Sequence, residues 1–411
     1  MKKVKINKYL NELKKWQDKD VIKVITGIRR CGKSTLLEQF QEELKHSGVK
    51  DAQIISLNFE DIAYEDLPDH KTLYRWVTDR LHKTKTTYVF LDEIQMIPDF
   101  QKVVDSLYIK KNVDLYIAGS SAYLLSSELA TLLSGRYVEI NMLPISFAEY
   151  SKIKGKSGDE AFAEYLQWGG FPFMSLLDNS VEHEDIYLEG VYNTIIVKNI
   201  EMQQNHRESD PNKRKVTDIL LLKNIARFLA FSVGSPISIK KIADYIASTG
   251  RKVSQCTVND YVESLVESYV FYPAERFDVV SKQLLKQNQK MYITDLGLRR
   301  YLLSQKEYDL EYSLENVVFL ELIRRGYTVR GGKVGSAKID FVAQKNERTS
   351  YYQVTASMTD TTAFFDEMMP LRAINDNYPK TILTLNHFMV GDCGGIEIVN
   401  VVDWLGKVDN V

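Results

Sequence analysis

The chain has 411 residues, 44% of them hydrophobic and 26% charged, and its formal net charge is −2. At roughly 100–200 residues per domain this predicts two to four globular domains with sizeable cores. A near-neutral balance excludes a polycation that meets nucleic acid with its whole surface, so any such binding needs a local basic face.

In chain order, residues 4–17 read as an amphipathic helix, 21–26 (VIKVIT) as a strand and 33–45 as a helix. A second strand is expected at 53–59 and a helix at 71–83. Residues 87–92 (TYVFLD) form the near-continuous apolar run of a strand buried on both faces. A helix over 100–109 and strands at 113–118 and 137–142 complete an alternation that implies a parallel α/β sheet. Beyond Tyr150 the pattern turns helical, punctuated by Gly169-Gly170-Phe171-Pro172, up to a polar stretch at 205–215 that reads as an exposed linker. Helices at 217–231, 238–248 and 254–268, then strand-like runs at 269–277 and 289–294, suggest a winged helix. From 311 to 404 the rhythm is mixed α/β again: helices at 313–325 and 361–376, and strands near 327–330, 338–343, 350–355, 380–385 and 396–401.

Cys31, Cys256 and Cys393 are far apart and form no CxxC pair, which argues against a zinc site or a disulfide framework and for a reducing compartment. The first residues lack the apolar core of a signal peptide, and no apolar run reaches the ~18 residues of a membrane-spanning helix. A cytoplasmic protein without membrane contact is expected.

The most informative segment is Gly27-Ile28-Arg29-Arg30-Cys31-Gly32-Lys33-Ser34, which satisfies GxxxxGK[ST] between an expected strand and an expected helix. Glycines let such a loop turn tightly, and its N–H groups, with the helix N-terminus, favour phosphate. Lys33 is expected on the β- and γ-phosphates, Ser34 on Mg²⁺, and Thr35 as a support of the loop or a contact to the α-phosphate. Cys31 inside the loop reads as a small filler, with a redox switch as the alternative. Asp92 and Glu93 follow the apolar strand, at the edge where open α/β sheets bind ligands. Asp92 suits Mg²⁺, and Glu93 suits a base for water. Ser120 or Ser121, after the strand at 113–118, reads as a γ-phosphate sensor or as a helix cap. Arg136 is a candidate charge for the transferring phosphoryl group, in cis or from a neighbouring subunit of a homo-oligomer. No NKxD-type guanine-reading motif stands out, which favours ATP.

These residues resemble a prokaryotic family of AAA-type ATPases with a C-terminal domain of unknown function, the DUF4143 group. The matching segments are GIRRCGKSTLL, VFLDEIQ, IAGSSAYLLS, LSGRYVEINMLPISFAEY, WGGFP, MYITDLGLRRYL and LENVVFLELIRRGYTV. The resemblance implies an α/β P-loop NTPase (AAA+) core over 1–150 and a helical region with linker over 151–215. A winged-helix-like domain over 216–305 and a restriction-endonuclease-like α/β domain over 306–411 follow.

Nucleases of that last fold use a helix glutamate, a strand aspartate and an acid-x-lysine pair around a divalent metal. Glu315 and Asp340 match the first two, but Gln353 stands in place of the acid and Thr355 in place of the lysine. A neutral amide is a weaker ligand for a hard cation, and a threonine carries no charge. A catalytically degenerate site is therefore expected. DNA is a candidate partner through a basic face of Lys240, Lys241, Arg251, Lys252, Arg276, Lys282, Lys286, Lys290, Arg299 and Arg300. The expected function is a Mg²⁺-dependent ATPase that couples nucleotide state to a DNA- or protein-binding C-terminal region. The alternative is a nucleotide-dependent protein-interaction switch with little turnover, and behind it an ATP-dependent nuclease.

Overall fold

A computed structural model of the protein describes residues 7–120, 124, 135–177, 183, 185–195, 216–303 and 309–407. The expected linker at 205–215 and Ser121 lie outside the described residues. The chain forms two compact units, one built chiefly from residues up to Pro144 and the other mainly from Ile145 onward.

In the first unit β1 (Ile22–Thr26), β2 (Ile54–Asn58), β3 (Thr87–Asp92), β4 (Val113–Ala118) and β5 (Tyr137–Asn141) form one parallel sheet in the order β2-β3-β4-β1-β5. Helices α1 (Asn7–Trp16), α2 (Lys33–His46), α3 (His70–Thr78) and α4 (Phe100–Tyr108) join and flank these strands. Successive strand residues point to opposite faces, so β1 and β3 are apolar on both sides and buried throughout. Val89, Leu91, Leu115 and Ile117 pack with Leu73 and Val77 of α3 and with Phe100, Val103 and Leu107 of α4. On β3 and β4 the alternate residues Phe90 and Tyr116 stack at 4.8 Å and meet Phe40 of α2. Lys23 is the charged exception inside β1. Its ammonium pairs with Asp114 and also bonds the Lys19 carbonyl at 2.9 Å, while Tyr116 donates to Asp114 at 2.8 Å.

Helix α3 ends at Thr78, short of the expected 83. The Thr78 hydroxyl donates to the carbonyls of Tyr74 and Arg75, and Asp79 caps the end with its N–H on the Arg75 and Val77 carbonyls.

The second unit opens with α5 (Phe147–Lys154) and α6 (Gly158–Trp168). Ser146 and Glu149 cap α5 reciprocally, so a helix starts across the domain border expected at 150. Then come α7 (Ile219–Phe231), β6 (Pro236–Ile237), α8 (Ile239–Ser248), α9 (Gln255–Glu267), β7 (Phe271–Asp278) and β8 (Gln283–Ile293). The chain continues with α10 (Leu296–Leu303), α11 (Leu310–Arg324), β9 (Thr328–Val334), β10 (Ala337–Lys345) and β11 (Arg348–Thr355). It closes with α12 (Thr361–Arg372), β12 (Lys380–Thr384), β13 (Gly391–Asp392), β14 (Glu397–Asn400) and α13 (Val401–Gly406).

The strands form one mixed sheet ordered β13-β14-β12-β11-β10-β9-β7-β8-β6. The three helices and the hairpin expected of a winged helix form, but the hairpin is no free wing. The open edge of β7 carries N–H and C=O groups that need partners, and β9 supplies them in parallel register, Arg276 opposite Gly331. One sheet thus crosses the border expected between 305 and 306.

WGGFP and TDLG, far apart in sequence, form a clasp in this unit. Asp295, 2% exposed, accepts from the Gly170 N–H at 2.6 Å and the Leu298 N–H at 3.0 Å. Gly169 has φ 76°, and a Cβ there would lie 2.3 Å from the Asp295 carboxylate. Among the described residues no helix is long and apolar enough to cross a membrane.

Candidate nucleotide site

A parallel sheet lines up the C-terminal ends of its strands, and the residues that follow β1, β3 and β4 share that edge. After Thr26 the chain turns at Gly27, whose φ of 142° suits glycine and where a Cβ would lie 2.2 Å from the Met142 carbonyl oxygen. Met142 in turn donates to the Thr26 carbonyl at 2.7 Å, which straps the loop to the chain leaving β5. Ile28, Arg29, Arg30 and Cys31 carry the loop to Gly32, and α2 begins at Lys33. The first N–H groups of a helix lack intrahelical partners and favour an anion. Lys33 is 4% exposed and donates to the carbonyls of Gly27 at 3.0 Å and Ile28 at 3.2 Å. Ser34 and Thr35 follow, both half-buried. Burial pushes the Cys31 thiol up, away from the thiolate a redox switch uses.

Two strands away, Asp92 ends β3 and is 5% exposed. Burial raises its pKa, and a hydrogen bond with the Ser34 side chain pulls it back. Glu93 follows in a left-handed conformation, φ 50°, which turns the chain away from the strand. Its carboxylate accepts from Ser120 Oγ at 3.0 Å and from the Gln95 amide. Arg29 lies in the same neighbourhood. Its guanidinium is buried and ion-paired with Glu60, and burial lowers its pKa while the Glu93 and Asp92 carboxylates pull it back up.

The structure therefore brings Lys33, Ser34, Asp92, Glu93 and Ser120 to one sheet edge. Arg136 does not join them. It is exposed at the start of β5, pairs with Asp105 at 3.2 Å and lies over the Tyr108 ring. Its carbonyl accepts from Ile22 at the start of β1, about 13 Å of strand from the loop. A role in cis conflicts with that separation. Sequence reasoning assigned no role to Gln95 or Glu60, nor any to the Arg29 side chain. The available signal was polarity: Gln95 is a polar residue between the apolar Ile94 and Met96, directly after the acid pair.

In the second unit Glu315 of α11 and Asp340 of β10 also converge, around a residue from outside the expected set. Lys290 of β8 lies 2.6 Å from Glu315 and 3.3 Å from Asp340, and Tyr292 donates to Glu315 at 2.5 Å. Burial pushes Glu315 up to about 7 against the pull of the ammonium. The Gln353 side chain accepts from the Asp340 N–H at 3.2 Å. Burial raises Glu367 of α12 to about 7, with the Gln353 and Thr355 side chains pulling it back. Among the described residues no group of three His, Cys, Asp or Glu side chains is placed to hold a metal ion.

The basic face is also thinner than its sequence suggested. Lys290 serves the carboxylates, and Arg299, 1% exposed, donates to the Ala230 carbonyl and Ser313. Arg300 pairs with Asp185 and lies over Trp168, and Arg251 pairs with Asp218. Lys240, Lys241, Lys252 and Lys282 remain exposed.

Residues 19–151 match the model of an AAA domain, and residues 159–309 match a domain of unknown function, DUF8612. The latter replaces the DUF4143 group expected from the sequence. An uncharacterized protein of Haemophilus influenzae is 37% identical over 403 residues, covering 97% of this chain and 97% of that one. An uncharacterized protein of Methanocaldococcus jannaschii is 30% identical over 350 residues, covering 80% of this chain and 71% of its own length. Among solved structures, the Walker-type ATPase of Pyrococcus abyssi is similar with a TM-score of 0.50 at 15% identity, covering 73% of this chain and 95% of that one. That likeness shows the P-loop NTPase fold.

Proposed function

We propose, from the premise that this chain belongs to the AAA-domain family it shares with the Haemophilus influenzae and Methanocaldococcus jannaschii proteins, that it is a Mg²⁺-dependent ATPase. The observation that carries this reading is that Lys33 and Ser34, at the start of the helix after the glycine loop, share one edge of the parallel sheet with the buried Asp92 and Glu93 at the end of β3. A turn with no room for a Cβ at Gly27, open amides and Lys33 suit a polyphosphate. A serine hydroxyl beside a desolvated carboxylate suits a hard divalent cation.

In this reading the amides of Gly27 to Gly32 and the Lys33 ammonium hold the phosphates, and Thr35 supports the loop. Ser34 and Asp92 hold Mg²⁺, which when bound neutralises charge on the phosphate oxygens. Glu93 orients a water and takes its proton as the water oxygen bonds the γ-phosphorus and the bridging P–O bond breaks. Ser120 and Gln95 aim the Glu93 carboxylate.

The second unit is the nucleotide-controlled binding part, with DNA or a protein as its partner and Lys240, Lys241, Lys252 and Lys282 as the cations available to phosphates. The test is ATP turnover with Mg²⁺, with and without duplex DNA. Turnover lost in Lys33→Ala supports the enzyme, and stimulation by DNA supports DNA as partner. ATP binding with no turnover would instead favour a nucleotide-dependent switch. Failure of the intact chain to bind ATP would remove the reading.

A further inference from the structure

Arg29 lies inside the glycine loop. It occupies the third position of the eight-residue motif, where the loop itself requires no particular side chain. Yet it is 5% exposed, with its charged head taken out of water. One amine, Nη2, pairs with Glu60, just beyond β2. The other, Nη1, is buried and has no hydrogen-bond partner. A desolvated guanidinium with an unanswered donor is costly, and such a group calls for a partner.

The surroundings indicate which ligand. Glu93 and Asp92 are close enough for their charges to act on Arg29, and Glu93 does so more strongly. Its partner Glu60 follows Asn58 and Phe59, which pair with Asp92 at the end of β3, so the buried guanidinium lies at the sheet edge that carries Asp92 and Glu93. Gln95, which donates to Glu93, has a buried amide oxygen that is likewise unanswered. An unpaired donor and an unpaired acceptor, both associated with Glu93, fit a polar guest with phosphate oxygens and a water.

Resting on the ATPase reading above, we propose that Arg29 is a catalytic residue supplied in cis by the loop: its free amine contacts the terminal phosphoryl group of ATP and stabilises the charge that develops there. The Glu60 pair holds the guanidinium in place while the second amine reaches the substrate. A planar guanidinium can serve both partners at once in a fixed fork, which an ammonium cannot. Because ADP lacks the contacted group, Arg29 also discriminates ATP from ADP.

The experiment compares the intact chain with Arg29→Ala and Arg29→Lys. It measures ATP turnover with Mg²⁺, the affinities for ADP and a non-hydrolysable ATP analogue, and the melting temperature of each. Arg29→Ala is expected to lower kcat at least 100-fold, hold ADP affinity within threefold and reduce the preference for the ATP analogue over ADP about tenfold. Arg29→Lys is expected to fall between the two. Turnover by Arg29→Ala within threefold of the intact chain would overturn the proposal. So would an equal loss of affinity for both nucleotides, which would mark Arg29 as a structural part of the loop. Absence of ATP binding by the intact chain would overturn the ATPase reading itself, an outcome distinct from either variant result.

Discussion

Ser120 Oγ donates to Glu93 Oε2 across 3.0 Å, linking the chain just past β4 to the chain just past β3. Gln95 donates to the same oxygen from two residues downstream. A carboxylate held by two donors has a defined direction, which a base for water requires. Glu93→Gln is expected to bind ATP with unchanged affinity and to lose turnover by about 100-fold, or about 2.7 kcal/mol. Ser120→Ala is expected to lose about tenfold in kcat with little change in KM. Full turnover by Glu93→Gln would refute the base assignment.

Gly27→Ala should damage the loop through backbone geometry. Its φ of 142° and the Met142 carbonyl 2.2 Å from any Cβ leave no way to accommodate the methyl group without moving the strap to β5. Destabilisation by about 2 kcal/mol and a loss of ATP affinity are expected. Gly48→Ala is the control: φ is 98°, but nothing lies within 4 Å of the added carbon. A cost of about 1 kcal/mol and unchanged ATP affinity are expected there. Equal effects of the two substitutions in a denaturant titration would contradict the argument.

Arg136 is exposed beside Asp105, at the far strand ends from Gly27. If it acts on phosphate, it acts on a neighbouring copy of the chain. Arg136→Ala and Lys33→Ala chains, each inactive alone, are then expected to regain turnover when mixed. No recovery across a range of mixing ratios would leave Arg136 a surface residue.

Asp295 makes stability depend on pH. Burial raises its pKa to about 6 despite N–H donors from Gly170, Leu298, Gly297 and Phe171. In the unfolded chain an aspartate titrates near 3.9. Between those values the folded state binds more protons than the unfolded state, so stability falls as pH rises from about 4 to about 6 and is level above. The shift of roughly 2 units corresponds to about 3 kcal/mol. Asp295→Asn should flatten this part of the profile. An unchanged slope between pH 4 and 6 in the variant would show that other groups produce it.

Lys290 is predicted to be structural. Lys290→Met leaves Glu315 buried beside Asp340 without its ammonium. A cost of about 3–5 kcal/mol is expected at pH 8. The cost should shrink at pH 5, because Glu315, already pushed up to about 7, then takes a proton in the folded state. Metal-dependent DNA cleavage by the unmodified chain that Lys290→Met abolished would contradict a purely structural role.

The P-loop and the acids after β3 were readable because both motifs are local: a loop between a strand and a helix, and a carboxylate pair at the end of an apolar run. Strand-helix alternation likewise carried the parallel sheet, since period and apolarity are properties of short windows. Helix α10 escaped because it is buried all round, Arg299 included, and shows no polar face to mark its period.

What the linear order left open was which distant residues meet. Lys290 looked like one cation in a basic stretch until β8 placed it between carboxylates from α11 and β10. WGGFP looked like a turn of its own until Asp295, 125 residues on, received the Gly170 N–H along with that of Leu298. Arg29 looked like any loop arginine until burial beside Glu93 took it out of water. Local chemistry determined the loop and its acids. Tertiary packing decided the fate of each long polar side chain, because desolvation and pairing depend on neighbours that only the folded sheet brings within reach.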